Sequence, residues 1–215
     1  MDNTQKINKL NDVLKKLYYK KSKELLFHGW HHIHFVRKKS KIFAQSINAN
    51  VFIVESAALV HDLNYLAKEN SHPEDGKELR KEILTECKYS DEEIEIIEKI
   101  IKEEHIATRD ENISDEAKAL SDADTLFKAL PFTPILFASK YIEENNIDIK
   151  QLANKVTSEQ NRLLESGIYF YTKIAKEKYL DWAKINLKLW NNVNESLEDP
   201  DIEEILSIAK ELKIL

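Results

Sequence analysis

The segment VFIVESAALVHDLNYLAKEN, residues 51–70, is the most apolar in the chain and reads as a central buried helix. His61 and Asp62 interrupt it near its C-terminal end. Burying an imidazole and a carboxylate together is costly unless something pairs with both. Neighbouring helical residues point about 100° apart, so the two can grip one ion only from a helix edge that faces a cleft. Taken alone, the pair is better explained by a buried His–Asp hydrogen bond, or by a helix end where both groups reach water. The rest of the chain changes that weighing.

Working outward, helical periodicity runs from end to end. Ile7, Leu10, Val13, Leu14 and Leu17 form one apolar stripe, and a second helix is predicted over about residues 31–47. Asn48 to Asn50 supplies a stop and a fresh N-cap. His72-Pro73-Glu74-Asp75 reads as a loop and helix start, Ser90 with Glu93 as a capping box, and Ser114 as the cap of a helix ending before Pro131. Gly167 marks the clearest break in the remaining amphipathic helices. With 3 Gly and 4 Pro in 215 residues, long helices are favoured over a turn-rich sheet protein. The expected fold class is all-α, one helical domain over 1–215 with no repeat or linker.

The net charge of −6 argues against a general nucleic-acid binder, since phosphate contacts need a basic surface; RKKSK, residues 37–41, is a local basic patch. One cysteine, Cys87, leaves no intramolecular disulfide and no thiolate zinc cluster. MDNTQKINKL lacks an apolar signal region, and no apolar run approaches a bilayer span, so a cytoplasmic protein without a membrane partner is expected.

HGWHHIHFVRKKSKIFAQ, residues 28–45, holds four of the seven histidines, and these cannot all lie on one helical face. Downstream, ALSDADTLFKAL places Asp122 and Asp124 inside another apolar helical stretch. Two histidines and two aspartates suit a divalent ion with open positions for water, such as Mn²⁺, Fe²⁺, Co²⁺ or Zn²⁺.

The order H…HD…D on successive helices resembles the HD-domain metal-dependent phosphohydrolase superfamily. One bacterial and archaeal branch is similar over most of the chain. Its opening HDW-x-HI-x-RV is matched by His28-Gly29-Trp30-His31-His32-Ile33-His34-Phe35-Val36, and its ALLHD-like strip by AALVHD at 57–62. IEKIIKEEHI, the Asp122-Ala123-Asp124-Thr125-Leu126 segment and the closing FYTKIAKEKYLDWAKINLKLW follow in the same order. The resemblance implies an HD core over about 24–130, with the helices of 131–215 packing on it. It also implies one divalent ion (Mn, Fe, Co, Zn or Mg, with Mn or Fe favoured) held by His32, His61, Asp62 and Asp124.

Asp122 is then left to support a ligand, cap a helix or face solvent. His28 stands at the branch's HDW position, near the site entrance, while solvent or packing roles suit His31, His34 and His72. His105 reads equally as a proton donor or phosphate contact and as a histidine answering a helix dipole. Two departures stand out: Phe35 replaces the branch's arginine, and Phe127 replaces the acid that commonly follows DAD-x-L, with Lys128 next.

The implied function is hydrolysis of a phosphate ester or phosphoanhydride, with a nucleotide or related phosphorylated metabolite as substrate. Asp62 and His105 are the candidate catalytic groups; His28, Arg37 and Lys128 are the candidate substrate contacts. The aromatics of PFTPILFASKY (131–141) and Tyr169 to Tyr171 are more simply core than base-stacking groups. A non-catalytic sensing module that binds metal and nucleotide is the alternative. A homodimer is compatible with the amphipathic N-terminal helix.

Overall fold

The computed structural model describes residues 1–67, 71–107 and 109–214, so the last three residues of the opening segment lie outside the described residues. The described residues are helical and contain no strand. In chain order the helices are α1 Asn3–Lys20, α2 Trp30–Ser46, α3 Val51–Val60, α4 Asn64–Ala67, α5 Lys77–Glu86, α6 Asp91–Glu104, α7 Asp115–Ala129, α8 Thr133–Leu136, α9 Ala138–Asn145, α10 Ile149–Glu165, α11 Lys173–Ser196 and α12 Pro200–Glu211. A 3₁₀ turn, Pro73–Gly76, precedes α5.

The local signals act where the sequence puts them. Asn48 takes φ 58°, ending α2, and the Asn50 side chain accepts the Ile53 amide at 3.3 Å to begin α3. Ser90 and Glu93 form a full capping box on α6, and Ser114 caps α7. Gly167 adopts φ +73°, a left-handed turn that glycine enters without a Cβ penalty.

α3 is the centre of the core: every residue from Ile53 to Val60 is buried, with α2, α7, α1 and α6 packed around it. The buried side of α1 (Ile7, Leu10, Leu14, Tyr18) belongs to this layer. The stripe that suggested a dimer interface is therefore already covered by the chain's own core.

α3 is shorter than expected. It stops at Val60, and His61, Asp62 and Leu63 form a turn before α4. His61 keeps helical dihedrals, φ −57° and ψ −38°, so the pair is presented from the edge where α3 ends. Part of the basic patch is paired within the chain: Arg37 donates to Glu55 Oε1 at 3.2 Å and to Asn11 Oδ1 at 2.6 Å, and Lys41, itself exposed, lies 3.2 Å from Glu55 Oε2.

Candidate metal centre

Four side chains from three elements converge at the C-terminal end of α3. His32 Nε2 lies 3.0 Å from Asp62 Oδ2, 3.4 Å from Asp124 Oδ1 and 3.3 Å from His61 Nε2. His61 Nε2 is 3.2 Å from the same Asp62 oxygen. His32 and His61 are fully buried or nearly so, and Asp124 is 8% exposed.

The ring orientations say what the cluster needs. His61 Nδ1 donates to the Ala58 carbonyl at 2.9 Å, so in the neutral ring Nε2 presents a lone pair to the centre. Asp62 Oδ2 is buried between two ring nitrogens without a well-directed hydrogen bond to either. Lone pairs aimed at one another across about 3 Å repel unless a proton or a cation lies between them. The donor set, two imidazole nitrogens with carboxylate oxygens, fits a divalent ion of the borderline class.

Charge tells the same story. Burial alone would push His61 down, yet Asp62, Asp124 and Glu104 outweigh it and hold the ring up at about 9. Burial works against the charge on Asp124 as well, but Lys128 and the two histidines keep its carboxyl at about 2. The carboxylates of Asp62 and Asp124 thus hold positive charge at this point, with His61 and Lys128 as their partners.

A cleft of about 300 Å³ opens beside it, lined by His28, His61, Asp62, Glu104, His105, Asp124 and Lys128 and walled opposite by Tyr141, Lys155, Glu159 and Trp190. Lys128 Nζ donates to Asp124 Oδ2 at 2.6 Å, one helical turn along α7. His28 stacks on Tyr65 with ring centres 3.6 Å apart, and its Nδ1 is bonded to Glu144. The same carboxylate accepts the Phe27 amide at 2.6 Å. Gly29 follows because a Cβ there would sit 2.6 Å from the Leu25 carbonyl. His105 borders the cleft with its ring 4.8 Å from that of His72; burial and the His72 charge push it down to about 4.

Of the predicted residues, His28, His32, His61, Asp62, His105, Asp124 and Lys128 are brought together. Arg37 is not: Glu55 and Asn11 hold its guanidinium between α1, α2 and α3, away from the cleft-lining side chains. Asp122 is fully buried and points the other way, accepting the Tyr171 and Thr172 amides at 2.7 and 2.8 Å and the Thr172 hydroxyl at 2.6 Å. It anchors Thr172, the residue whose side chain caps α11, rather than joining the cluster. His31 stacks on Phe137, and Tyr169 and Phe170 are core. Phe35 and Phe127, the two departures, touch each other edge to face at 5.5 Å. Phe127 also packs edge-on against His32 at 4.6 Å.

Residues 29–128 match the family model described as HD domain. That segment is an HD domain. No curated protein matches the sequence. The fold is similar to that of the Lin1889 protein from Listeria innocua, at 20% identity over 92% of this chain and 98% of that one, with a TM-score of 0.59. It is also similar to Bacillus subtilis YpgQ, at 20% identity over 88% of this chain and 96% of that one, TM-score 0.58. YpgQ solved in complex with ADP matches at 21% identity over 92% and 99%, TM-score 0.61. HD domains as a group are metal-dependent phosphohydrolases in most instances, and among the described residues His32, His61 and Asp62 form a cluster that could hold a metal ion.

Two groups were missed in the sequence. Glu104 is 7% exposed and lies in the cleft; burial and the Asp124 charge push its carboxyl up to about 7. Its signal was legible, since it continues the buried stripe of Ile97, Ile100 and Ile101 on α6. Glu144 carried none, being 116 residues from His28.

Glu104 yields a pH prediction. Its folded value lies above the ordinary 4.5, so its share of stability is present at acid pH and is lost as pH rises from about 4.5 to about 7. In a chelator, Glu104→Gln should raise the melting temperature at pH 8 by several degrees and leave it nearly unchanged at pH 4. Equal shifts at both pH values would remove the idea of a strained buried carboxylate.

Proposed function

We propose that the protein is a metal-dependent phosphohydrolase acting on a phosphate ester or phosphoanhydride of a nucleotide or related small metabolite. The observation that carries this reading is the convergence of His32 Nε2, His61 Nε2, Asp62 and Asp124, the last three residues lining a cleft and His32 buried behind them. The ADP bound in YpgQ supports a nucleotide among the candidate substrates.

When held by these four side chains, a divalent ion supplies a bound water acidified toward neutrality and a Lewis acid for a phosphoryl oxygen. The roles of the chain's own groups follow from their positions. Asp62 orients the attacking water. Glu104 accepts the proton that water loses as the new P–O bond forms, its raised pKa matching proton transfer near neutral pH. Lys128, at the cleft edge of α7, balances charge on the phosphoryl oxygens. His28, fixed by Glu144 and Tyr65, lines the wall next to the phosphate, and His105 faces the leaving side. Breaking the second P–O bond releases the leaving group toward the wall of Tyr141, Lys155 and Trp190.

The test is release of phosphate and pyrophosphate from nucleotides and small phosphomonoesters with Mn²⁺, Mg²⁺, Co²⁺ or chelator. Metal-dependent release from at least one substrate is expected, and the product separates ester from anhydride cleavage. Metal bound at one equivalent with no release from any substrate would favour a binding module instead.

A further inference from the structure

The C-terminal part of the chain leaves apolar surface uncovered in a regular pattern. On α11 these side chains are Trp182, Ile185 and Leu189, and on α12 and its C-cap they are Ile205, Ile208 and Leu212; each is between 40% and 64% exposed. Neither stripe is the face its helix uses within the chain. α11 buries Tyr179, Ala183, Leu187 and Trp190, and α12 half-covers Ile202, Leu206 and Ala209.

The two stripes match each other. Both step by three residues and then by four, the spacing that seats side chains of one helix between those of another. Each covers about 10 Å of helix. Their charges are opposite: α11 carries five lysines against three acidic residues, and α12 four acidic residues against one lysine. Pairing α11 with α11, or α12 with α12, would set like charges together, whereas α11 with α12 sets unlike ones together. Within one chain the turn through Leu197 leaves both stripes exposed, so a chain's own α12 does not cover its α11. No residue of α12 is buried, and a helix of twelve residues is marginal in water without a packing partner.

We propose that the partner is a second copy of this chain. The Ile205–Leu212 stripe of each copy lies on the Trp182–Leu189 stripe of the other, giving a closed two-fold pair. The pair would brace the site, because Trp190 lines the cleft from another face of α11 and Asn186 donates to the Lys128 carbonyl at 2.6 Å. The proposal does not depend on the reaction catalysed.

The full chain should show by light scattering a mass twice its 25.1 kDa over a wide concentration range. Ile185→Asp and Ile208→Asp should each run at the single-chain mass while keeping the wild-type circular dichroism, since both positions are exposed. Under oxidation, Ile185→Cys mixed with Ile208→Cys should give a disulfide-linked two-chain product, and neither variant alone should; Cys87 is buried and does not compete. A single-chain mass for the wild type overturns the proposal. So does a twofold mass that survives both aspartates, a larger open assembly, or cross-linking within one cysteine variant alone.

Discussion

Asp124→Ala is expected to leave a folded protein that no longer holds its metal ion. Asp124 Oδ1 stands 3.4 Å from His32 Nε2, and its other oxygen ties Lys128 to the site, so the alanine variant removes a ligand and releases the cation it restrained. Loss of a ligand should weaken metal affinity at least ~100-fold, beyond the 10–100-fold seen for outer-shell partners. With metal at about a hundred times its Kd, the wild type should gain about 2.7 kcal/mol, a rise of some 5–10 °C in Tm for a chain of this size. The variant should show no such rise, and its metal-dependent phosphate release should fall to the level seen in chelator. Metal content by elemental analysis is the deciding readout. One equivalent retained by the alanine variant would mean that Asp124 is a bystander.

Asp122→Ala, two residues away on the same helix, should fail in the opposite manner. Its carboxylate accepts three hydrogen bonds from Tyr171 and Thr172 and is buried from solvent. Removing it strands two backbone amides and a hydroxyl at the start of α11, the helix that packs on α7 and α10. Stranding several buried donors of a charge-assisted network costs about 3–5 kcal/mol, or about 10 °C in Tm. Asp122→Asn should be little better, because an amide group would place N–H against donors. Below its melting temperature the variant should still bind metal. A Tm within two degrees of wild type, measured in chelator, would contradict the anchoring of the α11 cap residue by Asp122. Run together, the two variants separate a residue that holds an ion from one that holds a helix.

Those two aspartates also mark where the sequence stops being sufficient. Helix positions, caps and the choice of His and Asp as ligand types were legible because they depend on local chemistry: a 3.6-residue period, an Asn or Ser ahead of an apolar run, and a polar pair inside a buried segment. The proposed ligand set is legible only through a resemblance in the order of motifs; the structure brings His32, His61 and Asp62 within reach of one another. Even Glu104 had a local trace, as the one acid on an isoleucine stripe.

Other features had no such trace. Whether Asp122 or Asp124 faces the cleft depends on where α11 begins, some fifty residues later in the chain. Arg37 looked free to meet a phosphate until Glu55 and Asn11 closed on it from neighbouring helices. His28 acquires its orientation from Glu144, and the cleft acquires its far wall from α9, α10 and α11, all beyond the HD segment. By itself, then, the sequence determined the helices and the chemical types that meet beside the cleft. Tertiary packing alone decided which side chains point at one another, because direction at a helix end and approach between distant segments are set by burial and charge pairing across the core.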